Sequence, residues 1–198
     1  MKLLQILSPL LSTIIPSLFS PEQDTEYVTQ RIATATLRPV SIELKPWFNN
    51  RAVGPDANFD HHSGHYWASE LLPTGTLKVG SVDFTLPLEW DGSFDNVVSD
   101  GQVLPAPYPV RFAKELHVLY AGDFIDGETG AHFTFHFEDG TQQTVEASIH
   151  NWWNLHWINT GGAIQTPYHY KPGGEKDYNI TQIFLSVLPR GIVFISLP

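Results

Sequence analysis

Residues 148–157 read Ser-Ile-His-Asn-Trp-Trp-Asn-Leu-His-Trp, placing three of the chain's six tryptophans beside two histidines. Indoles flanked by amide and imidazole groups suit a pyranose, whose apolar face lies on a flat ring while polar neighbours bind its hydroxyls. Trp152 and Trp153 are adjacent, and successive side chains of an extended backbone point to opposite faces. At least one of the two rings is therefore expected to be accessible, with Trp153 and Trp157 the better-placed pair for a core. The opposing expectation is that all three rings pack. The expected carbohydrate contacts are His150, Asn151, Trp152, Trp153 and Trp157, joined by Tyr66 and Trp67 from the stretch Asp-His-His-Ser-Gly-His-Tyr-Trp at 60–67.

Metal and catalytic chemistry have weaker carriers. His61, His62 and His65 are interrupted by Gly64 and lack a zincin-like glutamate, so they read as loop surface. Asp56, Asn58 and Asp60 alternate oxygen ligands along a polar loop, the arrangement that a structural calcium would use. No other cofactor is expected. The chain has no Gly-x-Ser-x-Gly elbow, P-loop or dinucleotide fingerprint, and no catalytic residue is assigned. Glu22, Asp24 and Glu26 match a Glu-x-Asp-x-Glu spacing but lack the apolar alternation of a catalytic strand. A glycosidase remains an alternative, as does a polysaccharide lyase using His150 with Tyr168 or Tyr170 as base and acid.

Composition narrows the partners. The chain has 198 residues, enough for one domain, with 11 Lys+Arg against 21 Asp+Glu and a formal charge of −10. That balance excludes nucleic acid, whose phosphates require clustered cations. It disfavours an acidic polysaccharide, but not a neutral glycan or another protein. With no cysteine, the fold must hold by burial alone. Lys2 followed by an uncharged apolar stretch to Phe19 has the layout of a secretory leader, with a buried first helix as the other reading. Pro9 and Pro16 make the stretch a poor membrane span. The expected organisation is a leader over 1–20, an extension over 21–37 and one domain over 38–198, secreted and not membrane-bound. Asn179-Ile180-Thr181 is a glycosylation sequon.

The elements that must position these residues are strands. After residue 30, short apolar runs alternate with Gly, Pro, Asn and Asp, which predicts an all-β jelly-roll sandwich of about eight or nine antiparallel strands. The candidates cover 38–44, 76–86, 94–98, 102–104, 115–120, 131–138, 142–149, 180–188 and 192–197. Phe133, Phe135 and Phe137 alternate with polar residues, as do Val145, Ala147 and Ile149 after Asp139-Gly140. For both apolar sets to share a face the loop must be odd. A three-residue loop at 139–141 is predicted, with Gly140 left-handed in a bulge and Phe135 opposite Val145. His132, His136 and Glu138 then lie on the solvated face.

Several stretches in order carry a resemblance: FNNRAVGPDANFD (48–60), GHYWASELLP (64–73), VGSVDFTLP (79–87), DNVVSDGQVLP (95–105), LHVLYAGD (116–123) and HFEDGTQQTV (136–145). Together, over about 40–188, they resemble galactose-binding-like jelly-roll modules attached to fungal and bacterial carbohydrate-active enzymes. The resemblance implies a β-sandwich that binds or positions glycans, or braces a glycosidase catalytic domain, without catalysis of its own. Two departures stand out: no catalytic domain accompanies the module, and the stretch VLPRGIVFISLP (187–198) is compressed where a longer loop is expected.

Overall fold

A computed structural model describes residues 6–11, 38–39, 41–90, 92–104, 115–123, 129–137, 140–153 and 162–189. Eleven strands are assigned among them: β1 (Ile6–Leu11), β2 (Arg38–Pro39), β3 (Thr76–Val79), β4 (Val82–Thr85), β5 (Glu115–Tyr120), β6 (Thr129–His136), β7 (Gln142–Ile149), β8 (Ile164–Thr166), β9 (His169–Tyr170), β10 (Lys176–Asp177) and β11 (Thr181–Pro189). The fold is all-β, with two short 3-10 turns at Lys45–Trp47 and Ser69–Leu71. No helix among the described residues is long and apolar enough to cross a membrane.

A five-stranded antiparallel sheet runs β2-β1-β5-β11-β8, and β3-β4, β6-β7 and β9-β10 form separate two-stranded ladders. The apolar run at the start of the chain enters this sheet: Ile6 pairs with Leu119 and Leu7 with Val118. It is a strand where the alternative to a leader was a buried helix. The expected run at 76–86 divides into a tight hairpin, with Val79 opposite Val82 and Gly80 taking φ +60° between them. Proposed strands 94–98 and 102–104 do not form ladders, and 192–197 lies outside the described residues.

Strand β5 and the first half of β11 are buried on both faces because they carry apolar residues at consecutive positions. On β5, Leu119 packs toward Phe59, Trp67, Phe84 and Trp152, and Val118 and Tyr120 pack toward Ala131, Ala147, Ile149 and Phe184. On β11, Ile183 and Phe184 divide in the same way. Each large side chain sealed here contributes about 1.5–3 kcal/mol of transfer free energy.

The β6–β7 hairpin has the expected odd loop with a corrected register. The Phe137 N–H donates to the Thr141 carbonyl, and the Gly140 N–H donates to the Phe137 carbonyl. The loop is therefore 138–140, one position earlier than predicted, and Phe133, not Phe135, stands opposite Val145. The reason is local: in a three-residue loop the left-handed position is the last one, and Gly140 occupies it at φ +82°. A Cβ at Gly140 would meet no atom within 4 Å, so Gly140→Ala isolates the conformational penalty. It is expected to lower stability by about 1 kcal/mol in chemical denaturation, without changing the fold. The outer hairpin face carries His132, Thr134 and His136 opposite Glu146, Thr144 and Gln142, all exposed.

The run 94–98, expected as a strand, joins segment 49–53 through a few backbone bonds around Asn50 and Asn96 and through side chains. Asn50 and Asn96 form an isolated bridge, and buried Asp95 accepts hydrogen bonds from the Ala52 N–H (2.9 Å) and the Val53 N–H (2.9 Å). Burial raises the Asp95 carboxyl to about 7, although these two amides and nearby Arg51 pull the other way.

Candidate functional site

Two stretches expected to supply glycan contacts meet a third, at Tyr168–Tyr170, that was named only for the lyase alternative. Tyr66 and Tyr170 form an antiparallel bridge, with each backbone N–H donating to the other's carbonyl at 3.0 and 2.9 Å. Alternation then sorts the side chains. His65, Trp67 and His169 face inward, and Tyr66, Tyr168 and Tyr170 face outward. β9 also pairs with β10, so His169 stands opposite Asp177 on the inner side, and Tyr170 stands opposite Lys176 on the outer side.

The inner side is an aromatic box. Trp152 (1% exposed) lies edge-on to Phe59, centroids 4.7 Å apart, and 5.2 Å from Trp67, which is fully buried. Trp153 is half-buried and lies 5.0 Å from His65 and 4.8 Å from His169. The expectation that one adjacent ring is inside and the other accessible holds, with the identities exchanged: Trp152 is the core ring. The backbone fixes the choice, because the Trp152 N–H donates to Gly122 (2.7 Å) and its carbonyl accepts from the Gln182 N–H (2.8 Å), turning the indole inward. Trp67 is likewise a core residue. Tyr66 is buried beneath Tyr170, with the rings stacked at 5.3 Å.

His150 sets its ring 5.1 Å from Phe184, on the hairpin side of the sheet. Asn151 bridges to Gly122, and its side-chain oxygen is buried without a hydrogen-bond partner. Trp157 lies outside the described residues.

The residues considered for calcium divide. Asp56 and Asn58 are exposed, whereas Asp60 is buried. The Asp60 carboxylate accepts the N–H groups of His62, Ser63 and Gly64 at 2.9–3.2 Å, and also the Ser63 hydroxyl. Burial alone would raise this carboxyl; the four bonds outweigh it and hold Asp60 below the usual value. Asp60 thus organises its own loop. Among the described residues, no three His, Asp or Glu side chains converge as a metal would require.

The outer side is a tyrosine face, which the sequence reading touched only through Tyr66 and the lyase alternative. Glu70 Oε1 accepts the hydroxyls of Tyr168 (2.8 Å) and Tyr170 (2.6 Å). These bonds outweigh the effect of burial and hold the Glu70 carboxyl below its ordinary value, and the same carboxylate raises Tyr170. The Lys176 ammonium sits over the Tyr168 ring, 4.0 Å from its centroid, and contact with Tyr168 raises its pKa. Tyr178, 76% exposed, meets Tyr168 edge-on at 5.9 Å. A flat open ring therefore adjoins a fixed carboxylate and an ammonium. The available signal was the Tyr168-His169-Tyr170 alternation, which becomes informative only once its partner strand is known.

Residues 38–188 match the family model described as AziU2-like beta-sandwich domain, and the chain belongs to that family. No curated protein matches the sequence.

Proposed function

We propose that this AziU2-like β-sandwich domain is a secreted, non-catalytic glycan-binding module whose ligand lies on the tyrosine face. The observation that carries the reading is the corner formed by Tyr178 and Tyr168, with Glu70 and Lys176 beside it. A pyranose stacked on Tyr178 places its hydroxyls where Glu70 accepts and Lys176 donates. A neutral hexose fits best, because the chain's charge of −10 repels polyanions at long range. A jelly-roll strand order and kinship with galactose-binding-like modules belong to this reading. The burial of Trp67 and Trp152 supports a second one, a bracing or interaction module for a glycosidase, which needs no sugar affinity.

Affinity electrophoresis on a panel of neutral polysaccharides separates the two. Retardation on at least one polysaccharide, with Tyr178→Ala weakening binding about tenfold, is the expected result; tenfold corresponds to about 1.4 kcal/mol, the scale of one lost stacking contact. An exposed ring can be removed without unfolding the domain. Absence of retardation on the whole panel leaves the bracing module standing.

A further inference from the structure

The β9–β10 ladder has two working sides, and the inner one contains an anomaly. His169 is fully buried with the Asn179 backbone as the hydrogen-bonding group beside its ring and no side-chain hydrogen bond, and buried His65 Nδ1 has no hydrogen-bond partner. Buried polar groups without partners are rare enough to require a reason. The two imidazoles lie 5.0 Å apart between centroids, with Trp152 and Trp153 against His169. Two carboxylates flank the pair: Asp60 Oδ2 lies 3.8 Å from His65 Nδ1, and Asp177 Oδ2 lies 3.9 Å from His169 Nε2. Asp177 is held in turn by the Lys171 ammonium (3.4 Å) and the Asn179 amide (2.5 Å). The backbone of Asn179 completes the polar surroundings of His169.

From this arrangement we infer that the glycan face is acid-released: adding a proton to buried His169 shifts β10 against β9 and disassembles the Tyr168–Tyr170–Glu70 cluster on their outer side. The inference rests on the proposed glycan-binding role of that face. Physically, an imidazolium cannot remain in an apolar box beside a second imidazole without strong compensation. The compensation within reach is Asp177, the cross-strand partner of His169. Engaging it breaks the Asp177 contacts with Lys171 and Asn179 and shifts β10, which carries Lys176 on its other side. Burial already depresses His169 to about 4, with His65 adding to the effect and Asp177 and Asp60 opposing it. His169 is therefore uncharged at neutral pH and takes up its proton in acid.

The test uses the full chain, with aromatic ¹³C-labelled side chains followed by NMR from pH 7.5 to pH 3.5. The expected result is that ring signals of Tyr168 and Tyr170 move with the same midpoint as the His169 imidazole, while far-ultraviolet circular dichroism stays constant. Affinity for the polysaccharide found by electrophoresis should fall at least tenfold across that midpoint, and His169→Phe should flatten this profile. Tyrosine signals that ignore the histidine titration, or that change only with global unfolding, overturn the inference. The spectroscopic arm needs no ligand, so it reads the coupling even if no polysaccharide binds, which is the separate failure of the glycan reading. Should His169→Phe not fold, the wild-type midpoints alone decide.

Discussion

Asp95→Ala is expected to destabilise the domain by about 3–5 kcal/mol at pH 5, the largest effect of any single polar substitution considered. Its carboxyl group, protonated at that pH, is the acceptor for the N–H groups of Ala52 and Val53, both residues being fully or nearly fully buried. Removing it leaves two backbone donors without water or partner, each costing about 1–3 kcal/mol. It also weakens the attachment of 49–53 to 94–98, which then rests on the backbone bonds around Asn50 and Asn96, and so loosens the backbone contacts of Trp67 with Ala52 and Gly54. Urea denaturation measures the loss directly. The same residue makes stability depend on pH. A carboxyl at about 7 in the folded state, against 3.8 when unfolded, holds its proton more tightly in the fold. Its contribution is complete below 3.8 and is lost as pH rises through about 7, on the order of 4 kcal/mol over that window. Asp95→Asn keeps an acceptor but cannot ionise, so its stability should be flatter than wild type between pH 4 and 7. His169 acts in the opposite sense: held down at about 4 against 6.5, its contribution is present above 6.5 and lost as pH falls through about 4.

Trp152→Ala should lose about 3–5 kcal/mol through the cavity left among Phe59, Trp67, Trp153 and His169. Edge-to-face packing against Phe59 adds about 0.5–1.5 kcal/mol to what burial alone supplies. The direction distinguishes two roles for this ring. A binding platform would lose affinity while the melting temperature held; a core ring loses melting temperature, and affinity falls only with the folded fraction. Calorimetry of Trp152→Ala beside Trp153→Ala checks this. Trp153, being half-buried, should lose less than half as much.

What could be read from the sequence follows the range of the interactions involved. The Phe133-Phe135-Phe137 alternation and Gly140 identify the hairpin and its odd loop, because both signals are local. Its loop lies one position earlier and its pairing is displaced by two residues, since the alternation fixes which residues share a face but not which pairs stand opposite. Alternation likewise predicts that Trp152 and Trp153 part company. It cannot say which is buried, because that depends on main-chain bonds to Gly122 and Gln182. The 94–98 run looks like a strand by composition, but its attachment is one isolated bridge at Asn96 and a buried carboxyl receiving two amides 42 and 43 residues away. The tyrosine face is less legible still. Glu70 is 98 residues from Tyr168 and 100 from Tyr170, and neither stretch alone reveals that they meet. Of the residues expected to bind glycan, Trp67, Trp152 and Trp153 meet in the inner box, while Tyr66 lies on the other side of its strand beneath Tyr170 and His150 lies against Phe184. The three indoles form the wall behind the face where the surface itself was expected.

Chemical-shift mapping with a neutral oligosaccharide, chosen from whichever polysaccharide retards the protein, tests the location of the site most directly. Saturable perturbations should centre on Tyr168, Tyr170, Lys176 and Tyr178, with the indole signals of Trp67 and Trp152 nearly still. Perturbations centred on the outer hairpin face around His132, Thr134 and His136, or on the indole of Trp152, would contradict the assignment.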